Sequence, residues 1–133
     1  MAGTIAAVLV LKNSGTDADA EQDATAQKGL PYLVDLGTGK CASCKMMTPV
    51  PAELRRDFSG VFSVTFIDVG EERDAVEKYA IRMIPTQIFY DAAGEELFRH
   101  EGFFSRDDIL ATWRKHGVSI PAQPALTQPP EPR

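Results

Sequence analysis

The sequence predicts an α/β domain with a central mixed β-sheet flanked by helices, and three features carry that expectation. Apolar β-rich runs alternate with helical stripes between residues 29 and 117. The only two cysteines of the chain, Cys41 and Cys44, stand two residues apart where a strand gives way to a helix. The turn Asp91-Ala92-Ala93-Gly94, with glycine at its last position, folds one strand back into another.

Residues 1–28 form an apolar start and a polar tether. Ala2 to Leu11 is almost wholly apolar but shorter than the ~20 residues that span a bilayer. It reads either as a strand of the sheet or as the remainder of a signal or anchor segment whose beginning is missing. Asn13 to Gln27, rich in Ala, Asp, Gln and Thr, has no large apolar residue and favours the second alternative.

The folded region is expected to begin at Gly29-Leu30-Pro31. Tyr32 to Leu36 reads as a buried strand, and Met47, Val50, Leu54 and Phe58 recur at three- and four-residue steps, the stripe of a core-facing helix. Pro49 removes one hydrogen bond inside that helix and bends it. After the turn at Asp57-Phe58-Ser59-Gly60, Val61 to Val69 is dense in Val, Phe and Ile and reads as a second strand. Glu71 to Ala80 has acids at its start and Lys78 near its end, as a helix dipole favours, but a thin apolar face. Thr86 to Tyr90 reads as a third strand and Glu95 to His100 as the hairpin strand after it. Ser105-Arg106-Asp107-Asp108 resembles a capping box opening a helix faced by Ile109, Leu110 and Trp113, which Gly117 closes. The first three strands, joined through helices, are expected to be parallel, with the hairpin adding an antiparallel edge. Residues 118–133, with prolines at 121, 124, 129, 130 and 132, read as a disordered tail.

At 133 residues the chain suits one domain with a single core. A net charge of −5 and the lack of a basic patch argue against a nucleic-acid partner. Two cysteines cannot staple a coreless scaffold, so the pair is there for chemistry or local structure. A thiol at a helix start meets free backbone N–H groups and the positive end of the helix dipole, and Lys40 and Lys45 add positive charge; all favour the nucleophilic thiolate. A zinc site needs two more ligands, and His100 and His116 are too far downstream and too far apart, so no metal is expected. Gly37-Thr38-Gly39-Lys40 is not a phosphate loop, which would need glycine at Val34 and serine or threonine at Cys41. An inert disulfide over two intervening residues would restrain the unfolded chain little.

The order of elements, with Val34-Asp35, Cys41-x-x-Cys44-Lys45-Met46, Pro49, Tyr79-Ala80-Ile81-Arg82, Ile84-Pro85-Thr86 and Gly102, resembles the thioredoxin family over Leu30 to Gly117. In closer detail it resembles small exported members, often membrane-tethered, that receive electrons from a membrane thiol transporter of the CcdA/DsbD type. The resemblance implies a thioredoxin fold and a thiol-disulfide oxidoreductase that needs no cofactor. Cys41 would attack a substrate disulfide and Cys44 would resolve the mixed disulfide. Pro85 would be cis, and the backbone of Ile84 would pair with a bound peptide; Ile84, Pro85, Lys40 and Gly102 form the implied substrate-facing set. Asp35, on an apolar strand, would be desolvated with its pKa raised, and would take the proton of Cys44.

Three features depart from the family. Lys40 and Gly37 stand where tryptophans are usual, Ala42-Ser43 replaces Gly-Pro between the cysteines, and Phe66 stands where a lysine usually neighbours the aspartate. The expectation is a monomeric reductase of protein disulfides in the periplasm or another extracytoplasmic space, tethered by a missing N-terminal segment. A cytoplasmic thioredoxin-like reductase is the nearest alternative. A redox-silent binding module and a disulfide-forming oxidase come from other classes.

Overall fold

The computed structural model describes residues 29–122. The expected tether and the prolines from 124 onward lie outside the described residues. The elements run β1 (Tyr32–Gly37), α1 (Ala42–Met47), α2 (Pro49–Asp57), β2 (Ser63–Asp68), α3 (Asp74–Lys78), β3 (Thr86–Tyr90), β4 (Glu96–Glu101) and α4 (Arg106–Lys115). The sheet has the order β2-β1-β3-β4. β1 is parallel to β2 and antiparallel to β3, and β3 is antiparallel to β4.

The antiparallel β1–β3 pair corrects the expectation of three parallel strands. A parallel crossover must carry the chain back along the sheet, and a six-residue strand covers ~20 Å. The only helix between β2 and β3 is α3, with five residues, which spans ~8 Å. The chain stays at the end of the sheet where β2 stopped and enters β3 there, with Thr86 beside Leu36 at the C-terminal end of β1. α3 is also shorter than Glu71 to Ala80, because residues after Asp68 are held in turns: Asp68 Oδ1 accepts from Gly70 N–H at 2.8 Å and its carbonyl from Glu72 N–H at 2.8 Å. β2 starts two residues later than expected, since the N–H groups of Val61 and Phe62 both bond back to the Phe58 carbonyl.

Alternation along β1 sorts the core into two faces. Leu33 joins Val64, Phe89, Met47, Val50, Leu54, Ile109 and Trp113 on the face covered by α1, α2 and α4. Val34 and Leu36 join Ile67, Ile88 and Ala75 on the face covered by α3. Aromatic rings fill the first face, with Trp113 4.8 Å from Phe89 and 5.2 Å from Phe62 between ring centroids. The packed region runs past Gly117: Val118 and Ile120 lie against this cluster, and Val118 N–H bonds the Trp113 carbonyl. Two apolar residues ahead of the first tail proline were enough to extend the core.

Pro49 splits the expected helix into α1 and α2 rather than merely bending it. Proline cannot donate to the Lys45 carbonyl, and Thr48 N–H is shared between the carbonyls of Cys44 (3.0 Å) and Lys45 (3.3 Å). Thr48 Oγ1 adds a second bond to the Cys44 carbonyl at 3.1 Å. The short α1 is thereby fixed at both ends around the cysteines.

Leu54 is fully buried between the sheet and α4. Leu54→Ala is expected to cost 2–5 kcal/mol in urea unfolding by the usual range for a buried leucine. A loss within about 0.5 kcal/mol would show that α2 does not close this core.

Candidate active site

The C-terminal end of β1 gathers most of the residues singled out from the sequence. Cys41 and Cys44, joined by a disulfide, follow it through the turn at residues 38–40. Ile84 and Pro85 precede β3 at the same end, and their peptide bond is cis. The Pro85 carbonyl accepts from Gly102 N–H at 2.7 Å, which ties the loop after β4 to the loop before β3. Gly102 has φ +100°, a conformation that disfavours any side chain. Lys40 is exposed in the turn ahead of the first cysteine.

The two cysteines are not equivalent. Cys41 caps α1, half-buried, and its Sγ accepts from the backbone N–H of Cys44 at 3.1 Å. Ser43 Oγ lies 3.4 Å from the same sulfur. Cys44 is buried inside the first turn. A side-chain carbon on Gly37 would sit 3.4 Å from Cys44 Sγ and 3.4 Å from a ring carbon of Phe66. The buried sulfur and that ring therefore lie over the end of β1. Phe66 is 41 % exposed.

Asp35 is two residues before Gly37 on the same face of β1, about 7 Å along the strand. It is 1 % exposed, and its Oδ1 accepts from Gln87 Nε2 at 3.0 Å. Burial pushes its carboxyl up to about 6, against a smaller downward pull from the Gln87 hydrogen bond. Phe66, across from Asp35 on β2, supplies no charge. The partner of Asp35 is Gln87, a residue without a role in the sequence pattern. Its signal was a lone amide inside the apolar run Thr86-Gln87-Ile88-Phe89-Tyr90. Ser43 was likewise seen only as a departure between the cysteines.

A disulfide of two neighbouring cysteines, one accessible and one buried, on a helix start beside a mixed sheet defines a thiol-disulfide oxidoreductase. Residues 14–115 match the family model described as Thioredoxin. The chain is 40% identical over 96 residues to a thioredoxin of Pseudomonas aeruginosa, covering 72% of this chain and 87% of that protein. It is 32% identical over 98 residues to a thioredoxin of Staphylococcus aureus, covering 74% of this chain and 92% of that protein. The chain belongs to the thioredoxin family and is an enzyme of thiol-disulfide exchange. Two solved structures share the fold at 20% identity and TM-score 0.62: a malarial protein, covering 67% of this chain and 99% of its own, and thioredoxin-2 of the malaria parasite, described as part of its protein secretion machinery, covering 68% and 86%. The family match begins within the stretch read from sequence as a tether.

The raised Asp35 carboxyl has a consequence for stability. The native state keeps the proton to higher pH than the unfolded chain does, so stability falls as pH rises from 3.8 to about 6 and is level above that. The cost at neutral pH is about 3 kcal/mol from the size of the shift. Asp35→Asn is expected to stabilise the fold by 1–3 kcal/mol at pH 8 and by little at pH 4 in urea unfolding. An equal effect at both pH values would assign the change to packing instead.

Proposed function

We propose that this oxidoreductase reduces disulfides of protein partners outside the cytoplasm, drawing its electrons from a membrane thiol transporter. The asymmetry of the cysteine pair carries the chemistry. In the reduced protein the Cys41 sulfur is the accessible one, and the Cys44 N–H aimed at it favours the thiolate. The Cys41 thiolate attacks one sulfur of the partner disulfide; a Cys41–partner bond forms, the partner bond breaks, and the departing thiolate takes a proton from water. Cys44 then gives its proton to Asp35 and attacks Cys41 Sγ. The Cys41–Cys44 disulfide forms and the second partner thiolate leaves. Two electrons have passed to the partner, and exchange with a dithiol of the transporter returns them.

Several features support a protein substrate. Ile84 and Pro85 lead into β3 at the end of the sheet that carries the cysteines, a place where a peptide strand can pair with backbone. Met46 on α1, Met83 before β3 and Phe103 after β4 are exposed apolar side chains, and methionine surfaces adapt to different partners. Lys40 stands at the rim, and Gly102 leaves room for the approaching chain. The extracytoplasmic location is supported by the apolar residues 5–11 followed by a polar stretch.

At neutral pH, iodoacetamide is expected to alkylate Cys41 of the reduced protein at least about tenfold faster than Cys44, the effect of one pKa unit between them. Cys44→Ser is expected to accumulate mixed disulfides with partners and Cys41→Ser to form none. Equal alkylation rates, or trapping by the wrong variant, would reverse or remove these roles. Fractionation of the source cells should recover the chain with the envelope; recovery from the cytoplasm would remove the location and the transporter while leaving the chemistry standing.

A further inference from the structure

The sheet register places Phe66, Asp35, Gln87 and His100 in one row, one residue from each strand. Asp35 and Gln87 at its centre are 1 % and 0 % exposed, on adjacent strands. Each carries a planar end group with two polar atoms. One atom of each is paired, Gln87 Nε2 donating to Asp35 Oδ1 at 3.0 Å. The other two, Asp35 Oδ2 and Gln87 Oε1, are buried without a partner among the described residues. Both are acceptors when Asp35 is ionised, and a buried unpaired acceptor is costly. The two vacancies have one remedy in common. A carboxylic acid and a primary amide close a ring of two hydrogen bonds, N–H to one oxygen and O–H to the other, and that ring needs one hydrogen more than the ionised pair holds.

We propose that Asp35 and Gln87 form an acid–amide pair in which a single proton, released by the Cys44 thiol, sits on Asp35 Oδ2 and is held by Gln87 Oε1. The pair rests on the assignment of Cys44 as resolving thiol and deepens it. The Cys44 S–H bond breaks, the proton passes to Asp35 Oδ2 directly or through a water, and the electron pair stays on Cys44 Sγ for attack on Cys41. Rereduction returns the proton to Cys44. Gln87 is a positioning residue: its N–H fixes the carboxyl plane through Oδ1, and its carbonyl receives the proton-bearing oxygen. In the ionised state Gln87 Oε1 has no hydrogen to accept, while burial favours the protonated carboxyl against the smaller opposing pull of the Gln87 N–H.

Few other titratable groups face this pair. Cys44 comes from α1. His100 comes from β4, stacked on Phe104 at 4.0 Å with Nε2 3.2 Å from the Phe103 carbonyl. β2 presents Val64 and Phe66 on this face, the fully buried residues of α2 and α4 are apolar, and Arg106 of α4 is paired with Glu53 and Asp57 of α2. Lys40 and Lys45 are exposed. The rise of the Asp35 carboxyl to about 6 lets it hold a proton to higher pH than a solvated carboxyl does.

The test is carbon NMR of the side-chain carbonyls of labelled Asp and Gln between pH 4 and 9, in the oxidised and the reduced protein. The Gln87 carbonyl is expected to titrate in one step with the same midpoint as the Asp35 carboxyl. A Gln87 signal that stays flat while Asp35 titrates overturns the pair. Asn at position 35 would carry the missing hydrogen permanently, so a double-mutant cycle gives a second reading. Asp35→Asn should raise the folding constant at pH 8 at least about tenfold more with Gln87 present than in the nearly isosteric Gln87→Met background, the size of one buried hydrogen bond. Additive effects overturn the proposal. Both readouts are taken on the resting protein, so a failure of Cys41 to form mixed disulfides would sink the catalytic roles without touching this result.

Discussion

Pairing of β1 on both sides over most of its length is the constraint on which the rest of the molecule depends. With β2 on one flank and β3 on the other, every side chain of β1 is committed to one of two covered faces. Leu33, Asp35 and Gly37 share one face, Val34 and Leu36 the other. A slip of one residue would send Asp35 under α3 and put an aliphatic side chain beneath Cys44. The same pairing delivers the turn that carries Cys41 and the start of β3 to one end of the sheet, so the buried acid, the disulfide and the loop at Ile84-Pro85 are placed together by a single register.

The departures from the family look different once they are seen in three dimensions. Gly37 and Phe66 are not independent substitutions. The space where a side chain at position 37 would stand is bordered by the Phe66 ring and by Cys44 Sγ, so an aromatic group from β2 covers what a large residue on β1 would otherwise cover. The lysine missing at position 66 is answered from the opposite flank, where β3 brings the Gln87 amide to Asp35. A cation beside a buried carboxylate favours ionisation, whereas an amide both donates and accepts and is suited to either protonation state. The chain keeps a buried acid on the face of β1 that carries Gly37 and lies under Cys44 while changing what surrounds it.

Most of the fold was legible because local signals agreed with one another. Thr86 to Tyr90, the Asp91 turn and the Ser105 cap were each marked by composition and spacing, and each formed where those signals stood. The direction of β3 was misread because it depends on how far a connection reaches, and the apparent length of the Glu71 helix concealed how little of it is helical. The tail was read from its prolines, which say what cannot form and nothing of whether Val118 and Ile120 find apolar partners. In the site, the disulfide and Asp35 were visible as chemistry out of place in their surroundings. Gln87 was not, because its meaning lies in a neighbour 52 positions away along the chain. Such a pairing is set by strand order and register, and the residue alone reads as a polar blemish in a strand.

A carboxylate buried with one oxygen unpaired is a poor choice for stability, and about 3 kcal/mol is a large part of the 5–15 kcal/mol that keeps a domain folded. The proton transfer proposed from Cys44 would account for its place. An ordinary thiol near 8.5 and a surface carboxylate near 3.9 differ by about 4.6 units, so a solvated aspartate would take the proton of a resolving cysteine only rarely. Raising Asp35 to about 6 narrows that gap to about 2.5 units for an ordinary thiol, close to a hundredfold gain in the fraction transferred. No surface position offers this, because water holds a carboxylate near its usual value. The group that receives a proton from a buried sulfur has to be buried as well, and the instability it brings is inseparable from its basicity.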